Sequence, residues 1–307
     1  MPNHSHLARA AGRCSAEGVK KVSPFLLIPF IPLLTQCGGG FGGTSVSKSP
    51  VVLNVSGWDP KEVQRGGDRY SQHDLSALRK NGAQALIARS AKGPLLDDKF
   101  GDFLKSADRE GLLLGAYHFV TMDQDPATQA DSFVNRVRSV AAAKGISGKR
   151  ILLVGDFDTH STPDRLVKFI AQVHRRTGVY PVTYLENSDG LRERMRNASP
   201  GQKAVIRRSP YWLALYGPGG TERTMSRAGA LTPDSLADLY DVWGGWSMWQ
   251  YGGVVWENGG SRAKHYSTGS WRSPRYFGGL SHPMERSVFK GDGEDLRTFW
   301  ERHSIAL

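Results

Sequence analysis

Short apolar runs alternate with amphipathic segments along the chain from residue 51 onward. Runs of apolar and β-branched residues are typical of buried strands. They read VVLNVS (51–56), ALIARS (85–90), LLLGAYHF (112–119), ILLVGDFD (151–158), YPVTYL (180–185), YWLALY (211–216) and WSMWQY (246–251). Residues 97–110 space their apolar side chains as a helix does, and Asp125-Pro126 and Ser161-Thr162-Pro163 are typical helix starts. The segment SVFKGDGEDLRTFW (287–300) predicts a strand end followed by a helix.

The alternation of strands with helices predicts an α/β fold with a parallel sheet, a single closed β/α barrel of the TIM type over residues 51–307. In such barrels the functional residues gather at the carboxyl ends of the strands. Polar residues occur at those ends in this chain: Asn54, Arg89, His118, Asp156, Asp158, Tyr184, Tyr216 and Gln250. We therefore expect the functional site at that end of the barrel.

The N-terminal region has the organisation of an export signal. Lys20 and Lys21 precede the apolar run PFLLIPFIPLL, which is too short to span a bilayer. The ending LLTQC resembles the lipobox of bacterial lipoproteins, and this resemblance implies that Cys37 is lipidated. We expect a signal peptide over 1–36, with translation starting at residue 19 as an alternative, and a flexible tether over 37–50. A buried hydrophobic helix with an ordinary cysteine is the other interpretation.

Composition narrows the class of protein. The apolar content of 39% and the eight tryptophans of this 307-residue chain exclude a disordered protein. The formal net charge is +11, but no dense Lys/Arg block accounts for it, so we expect no nucleic-acid partner. A diffuse basic surface suits an anionic polymer such as a bacterial cell wall. The two cysteines lie near the N-terminus and the histidines lack metal-ligand spacing, so we expect no metal and no cofactor. We also expect a monomer.

Two aspartates, Asp156 and Asp158, end one of the apolar runs. Alternate strand residues share a face, so their carboxyl groups are expected roughly 6.5–7 Å apart along the strand. Two carboxylates in one cleft repel, and the group that keeps its proton can protonate a glycosidic oxygen while the other attacks or stabilises the oxocarbenium ion. The doublet also suits a divalent metal or the cap of the next helix, and the residues alone leave these alternatives open.

The order of the motifs resembles glycoside hydrolase family 25, the lysozymes that cleave the muramic acid linkage of peptidoglycan. The resemblance runs from about residue 51 to 300. The matching segments are Asn54-Val55-Ser56-Gly57-Trp58-Asp59, Gly115-Ala116-Tyr117-His118-Phe119, Gln129-Ala130-Asp131-Ser132-Phe133, Asp156-Phe157-Asp158, Tyr180-Pro181-Val182-Thr183-Tyr184, Trp212 to Tyr216, Trp249-Gln250-Tyr251 and, in degraded form, Met284 to Phe289. Residues 221–234 and 253–282 are insertions with no assigned purpose.

This resemblance implies roles for three residues. Asp158 stands where the family has its catalytic Glu and would be the general acid, with a reach shorter by on the order of 1.5 Å. Asp156 would be the nucleophile, an electrostatic stabiliser or the group that orients the substrate's own acetamide. Asn54 stands where the family has an Asp. It would position substrate or water, because an amide cannot act as a base.

The resemblance also implies a sugar-binding cleft formed by Tyr117, Tyr184 and Trp249, whose rings can stack on sugars. Arg89 is expected either to bind a substrate carboxylate or to pair with an acid of the barrel. His118 follows Tyr117 on the strand and so points the other way, which predicts a packed histidine.

We therefore expect a peptidoglycan-directed glycoside hydrolase, anchored to a membrane of the bacterial cell envelope through Cys37. Two alternatives remain open on the sequence. The replacements at Asn54 and Asp158 suit an inert barrel that binds cell-wall glycan as an anchor or scaffold, and also a glycosidase for another amino-sugar polymer.

Overall fold

The computed structural model of the chain describes residues 49–57, 59, 72–186, 188–214, 240–252, 254–256, 263–265 and 284–307. The predicted signal peptide, Cys37, residues 37–48 of the predicted tether, Tyr216 and the insertion 221–234 lie outside the described residues, as does most of the insertion 253–282. No helix in the described ranges is long and apolar enough to cross a membrane.

The strands follow the apolar runs of the sequence. They are β1 (Val51–Val55), β2 (Ala83–Lys92), β3 (Leu95–Leu96), β4 (Leu113–Val120), β5 (Arg150–Phe157), β6 (Val182–Glu186), β7 (Tyr211–Ala214), β8 (Met248–Gly252), β9 (Val254–Trp256), β10 (Ala263–His265), β11 (Glu285–Phe289) and β12 (Ser304–Ala306). β9 and β10 pair with each other in a separate two-stranded sheet, within the segment that the sequence identified as an insertion.

The helices lie mainly between the strands. They are α1 (Gln72–Lys80), α2 (Phe100–Arg109), α3 (Pro126–Ala143), α4 (Pro163–Thr177), α5 (Asp189–Arg196), α6 (Pro200–Ile206) and α7 (Gly293–His303). The predicted caps of α3 and α4 are confirmed: Asp125 accepts the Thr128 N–H, and Thr162 accepts the Arg165 N–H. The helix predicted within residues 97–110 is found as α2, and Gly111 follows it with a φ of 67°, a conformation typical of a helix end.

The strands close into a barrel in the order β1, β2, β4, β5, β6, β7, β8 and β11, and β11 returns to β1. The predicted closed β/α barrel is therefore confirmed. It differs from a purely parallel barrel in one strand, because β11 runs antiparallel to both β8 and β1. This reversal places the first residue of β11, Glu285, at the end of the barrel where the parallel strands terminate. We call that end the mouth and the opposite end the base.

Side-chain alternation divides the apolar residues between two packed layers. Residues facing into the barrel form the inner cluster, which includes Val52, Ile87, Leu152, Val154, Val182, Trp212 and Met248. The alternate residues face outward and pack on the helices, where Phe133 of α3 and Phe169 of α4 are fully enclosed. Because of this period of two, a residue's position along its strand decides whether it can reach the mouth.

Helix α7 completes the inner cluster from the base. Leu296 and Trp300 project from α7 into the inner cluster and are almost fully buried. The Trp300 indole N–H donates to the carbonyl of Leu114, near the start of β4, at 2.6 Å. The inner cluster is therefore shared by the barrel strands and a helix that follows the last of them.

Replacement of Trp300 by Ala should lower the free energy of unfolding by about 3–5 kcal/mol, because it opens a cavity among fully buried neighbours. Urea unfolding followed by circular dichroism measures the loss. Leu95→Ala is the control, since Leu95 is 69% exposed and should change stability by about 0.5 kcal/mol or less. Equal stabilities of the two variants would show that α7 does not support the barrel.

Candidate active site

Polar side chains from several strands meet at the mouth. Each of these side chains is in phase with the residues of its strand that face into the barrel. They are Asn54 of β1, Tyr117 of β4, Asp156 of β5, Tyr184 of β6 and Gln250 of β8. The register of the barrel strands thus brings these strand-end residues together at the mouth.

Asp156 lies at the centre of this group. Its side chain is partly accessible but is surrounded by protein on most sides, and it has no hydrogen bond within the described ranges. Burial raises the pKa of Asp156 well above its usual value, and the carboxyl groups of Glu186, Glu285 and Asp158 raise it further against the opposing effect of Arg89. A carboxyl group in this state holds a proton at pH values where an ordinary aspartate has lost it.

Asp158 follows β5 in a turn. Its Oδ1 accepts the backbone N–H of His160 at 2.8 Å and lies 2.9 Å from His160 Nδ1, while its carbonyl accepts the Ser161 N–H. The Asp158 side chain is 27% exposed, so it stands at the rim of the mouth. The structure therefore places Asp156 and Asp158 close together, as the sequence predicted. Asp158, however, also forms hydrogen bonds within the turn that leads to α4. The predicted catalytic roles of Asp156 and Asp158 stay predictions.

Two further acids reach the same place, and the sequence interpretation missed them as site residues. Glu186 ends β6, in the position that follows Tyr184 on the inward face. Glu285 begins β11 and pairs with Asn54 in the sheet register. A search for acids at strand ends could have found Glu186. Glu285 is a strand start, and only the reversed direction of β11 brings it to the mouth.

A chain of hydrogen bonds crosses the mouth between side chains. The Tyr184 hydroxyl donates to Gln250 Oε1 at 2.5 Å, and Gln250 Nε2 donates to Asn54 Oδ1 at 2.9 Å. The Asn54 amide in turn donates from Nδ2 to the Glu285 carboxylate. Each amide accepts on one side and donates on the other, so the chain has one direction and ends on an anion. The structure thus fixes the Asn54 side chain at the place where the family has an Asp.

Arg89 and Tyr117 lie side by side on neighbouring strands at the mouth. Arg89 pairs with Asp97, with 3.1 Å between Nε and Oδ2, and Asp97 also accepts the backbone N–H groups of Gly57 and Lys99. Of the two predicted roles for Arg89, the structure therefore places it in the ion pair. Tyr117 is buried in the inner cluster, and burial raises the pKa of its hydroxyl well above the usual value.

Trp249 does not lie in the predicted sugar-binding cleft. Its neighbour Gln250 faces inward, so Trp249 faces outward, where it is fully buried in the outer layer near Trp246. Trp212 of β7 is the indole that faces into the barrel. It packs edge-on against Tyr184, with 5.0 Å between ring centroids, and donates from Nε1 to the Ser287 hydroxyl. Tyr184 is partly exposed at the mouth, and its predicted role in sugar binding stays a prediction.

The predicted packing of His118 is confirmed. Its ring is fully buried between Phe133 and Phe169, and Nε2 lies 3.2 Å from Gln129 Oε1. Burial lowers the pKa of His118 to about 4, so the ring is neutral at pH 7. Within the described part of the chain, no group of three His, Cys, Asp or Glu side chains is arranged to hold a metal ion.

A second pocket, of about 350 Å³, lies at the base of the barrel between the start of β7 and α7. Arg207, Arg208 and His303 line it, together with Tyr211, Trp243 and Phe299. None of the described residues that line it is acidic. This pocket therefore lacks the carboxyl groups that the mouth carries, and the mouth is the candidate active site.

A closed β/α barrel with several carboxyl groups at the carboxyl ends of its strands has the architecture of the barrel glycosidases. The sequence profile described as glycosyl hydrolases family 25 matches residues 68–259, which is more than half of the chain. The chain belongs to this family.

Solved structures share the fold. A bacterial lysozyme from Streptomyces coelicolor superposes with a TM-score of 0.51 at 18% identity, over 82% of this chain and 97% of the lysozyme. A family 25 glycosyl hydrolase from Bacillus anthracis gives 0.51 at 17% identity, over 83% and 94%. A family 25 lysozyme from Aspergillus fumigatus gives 0.50 at 18% identity, over 82% and 99%. No curated protein matches the sequence.

Replacement of Asn54 by Asp should make the stability of the barrel depend on pH. An aspartate at position 54 cannot donate to Glu285, and two carboxylates would then face each other, so one of them would keep its proton to higher pH in the folded state than in the unfolded chain. The variant should match the wild type near about pH 4 and lose about 1–3 kcal/mol as the pH rises through the raised folded pKa. Thermal unfolding at a series of pH values measures this loss.

The double variant Asn54→Asp/Glu285→Gln is the matched control. It places an amide beside the new carboxylate and should recover most of the stability at neutral pH. Equal pH dependence of all three proteins would contradict the Asn54–Glu285 contact.

Proposed function

We propose that this protein hydrolyses the glycan strand of peptidoglycan, as a lysozyme does. The observation that carries the proposal is the position of Asp156. It is a carboxyl group of raised pKa that lies without a protein hydrogen bond in the described mouth of a family 25 barrel, beside further carboxyl groups. Two of the solved structures of similar fold are described as lysozymes, which supports peptidoglycan as the substrate.

The geometry of the mouth suits cleavage assisted by two carboxyl groups. A sugar bound over the mouth would meet Asp156 at its floor, close to Tyr184. Asp156 would orient the substrate's acetamide or, in its ionised form, stabilise the positive charge that develops at the anomeric carbon. A second carboxyl group would protonate the leaving oxygen. That proton donor is one of the two acids at the rim, Asp158 or Glu186. Asn54 would position substrate or water through its fixed amide.

The second candidate function is binding of cell-wall glycan without cleavage. The observation that favours it is the pair of replacements at the family's acidic positions, Asn54 and Asp158. Asn54 is engaged on both sides of its amide and cannot act as a base, and Asp158 Oδ1 is engaged with His160. An inert barrel of this kind would retain affinity for glycan and release no reducing ends.

Release of reducing ends from purified peptidoglycan tests the proposal. The wild type should show activity, and Asp156→Asn should lower it by about 10²–10³-fold, the usual effect of removing a group that stabilises charge in the transition state. Asp164→Asn is the control, because Asp164 is an exposed aspartate on α4 and should leave the rate unchanged. A wild type that binds glycan but releases no reducing ends would instead establish the inert barrel.

Loss of activity in Asp156→Asn can be separated from loss of fold. The pKa of Asp156 is raised in the folded state, so its ionisation opposes folding as the pH rises through that pKa. The amide removes this cost, and Asp156→Asn should be at least as stable as the wild type at neutral pH. A variant that is inactive and unfolded would not support a catalytic role for Asp156.

We propose in addition that Cys37 is lipidated and holds the protein at a membrane of the bacterial envelope. The basic residues, the apolar run and the LLTQC ending of the N-terminal region support this. Metabolic labelling with an acyl-chain analogue should mark the wild type and Cys14→Ser but not Cys37→Ser. Equal labelling of both variants would contradict it.

A further inference from the structure

Glu186 ends β6, and Asp158 directly follows the end of the neighbouring strand β5. The parallel register pairs Asp156 with Tyr184 and Phe157 with Leu185, so the next position on each side brings Asp158 and Glu186 together. Neighbouring strands are separated by about 4.8 Å, and a Glu side chain reaches further than an Asp by one methylene. The rim therefore has a longer acid beside the position where the shorter one replaces the family's Glu.

The side chains of Asp158 and Glu186 differ in their hydrogen bonds. Asp158 Oδ1 is engaged by the backbone and the ring of His160. Glu186 is an exposed residue whose carboxyl group lies partly among protein atoms, and this group has no hydrogen bond or ion pair with the described residues. Its backbone is nevertheless fixed, since the Glu186 carbonyl accepts the Tyr240 hydroxyl at 2.6 Å and the Ser188 N–H at 3.0 Å. A side chain that is free on a fixed backbone can approach a bound substrate.

The charges around Glu186 favour its protonated form. The pKa of Glu186 is raised, first by burial of part of the side chain and then by Asp158 and Glu285. Glu186 in turn is the largest source of carboxylate repulsion on Asp156. The groups that face it are therefore mainly acids, and Arg192 of the following helix α5 is paired with Asp189. Carboxyl groups that lie close together favour the protonated form of one of them, which is the form that a proton donor needs.

We propose that Glu186, and not Asp158, is the proton donor of the glycosidase reaction, an inference that rests on the proposed function. The proton of Glu186 passes to the glycosidic oxygen as the bond from that oxygen to the anomeric carbon breaks, and the bonding electrons stay with the oxygen. Water then adds to the anomeric carbon, and its proton returns to the Glu186 carboxylate. The proton balance closes within one turnover.

The test uses the full chain and compares two substrates. Glu186→Gln should lower the rate on peptidoglycan by about 10²–10⁴-fold, the usual effect of a positioned proton donor. It should change the rate on a 4-nitrophenyl chito-oligosaccharide by no more than about tenfold, because nitrophenolate leaves without a proton. Glu301→Gln, at an exposed glutamate of α7, is the matched control and should behave as the wild type on both substrates.

The pH profile separates Glu186 from Asp158. A proton donor must be protonated, so the rate on peptidoglycan falls as the pH rises through its pKa, and Glu186→Gln should lose this fall. Asp158→Asn removes a negative neighbour that raises the pKa of Glu186. It should retain most of the activity and move the fall to lower pH.

Three results would overturn the inference, and they differ from one another. A wild type that cleaves neither substrate removes the proposed function itself. An active wild type with Asp156→Asn inactive and Glu186→Gln unchanged keeps the proposed function and excludes Glu186 as donor. Equal losses of Glu186→Gln on both substrates would show that Glu186 supports the site without giving a proton.

Discussion

The hydrogen bond from the Asn54 amide to the Glu285 carboxylate joins the first strand of the barrel to the last strand of its wall at the mouth. It forms because β11 runs antiparallel, which brings the start of that strand beside the end of β1. Gln250 and Tyr184 extend the same contact across β8 and β6. An amide at this place leaves one anion where two acids would otherwise face each other. One side-chain contact thus links the pair of strands that closes the barrel to the charge of the mouth.

The cluster of acids at the mouth opposes folding. The pKa values of Asp156 and Glu186 are raised in the folded chain, so ionisation of both groups lowers stability as the pH rises through those values. The inner and outer apolar layers, with Trp300 as a central member at the base, supply the stability that offsets this cost. Proteins commonly accept such a cost where a group must keep its proton for chemistry, since activity and stability make opposing demands on the same residues.

Much of the fold could be predicted from the sequence, because the period of apolar residues marks the strands and the cap residues mark α3 and α4. The direction of β11 could not be, since its short apolar run carries no sign of direction. Because the direction of β11 was not predicted, Glu285 was not identified as a residue of the mouth. The assignment of Trp249 to the cleft failed for a related reason. The family resemblance identifies the segment Trp249-Gln250-Tyr251, whereas the alternation of side chains decides which of its members faces inward. Asp156 was predicted correctly as a mouth residue, because it is in phase with the inward-facing residues of β5.

The pairing of β12 with β5 has a consequence for the order in which the barrel can form. β12 lies almost at the end of the sequence, and it adds to β5, the strand that carries Asp156, with backbone hydrogen bonds between Leu307 and the residues Lys149 and Gly148 just before that strand. Contacts between residues so distant along the chain are slow to form, because a long loop must close before they are made. The strand that carries Asp156 therefore acquires this neighbour only after the chain as far as β12 is free to fold.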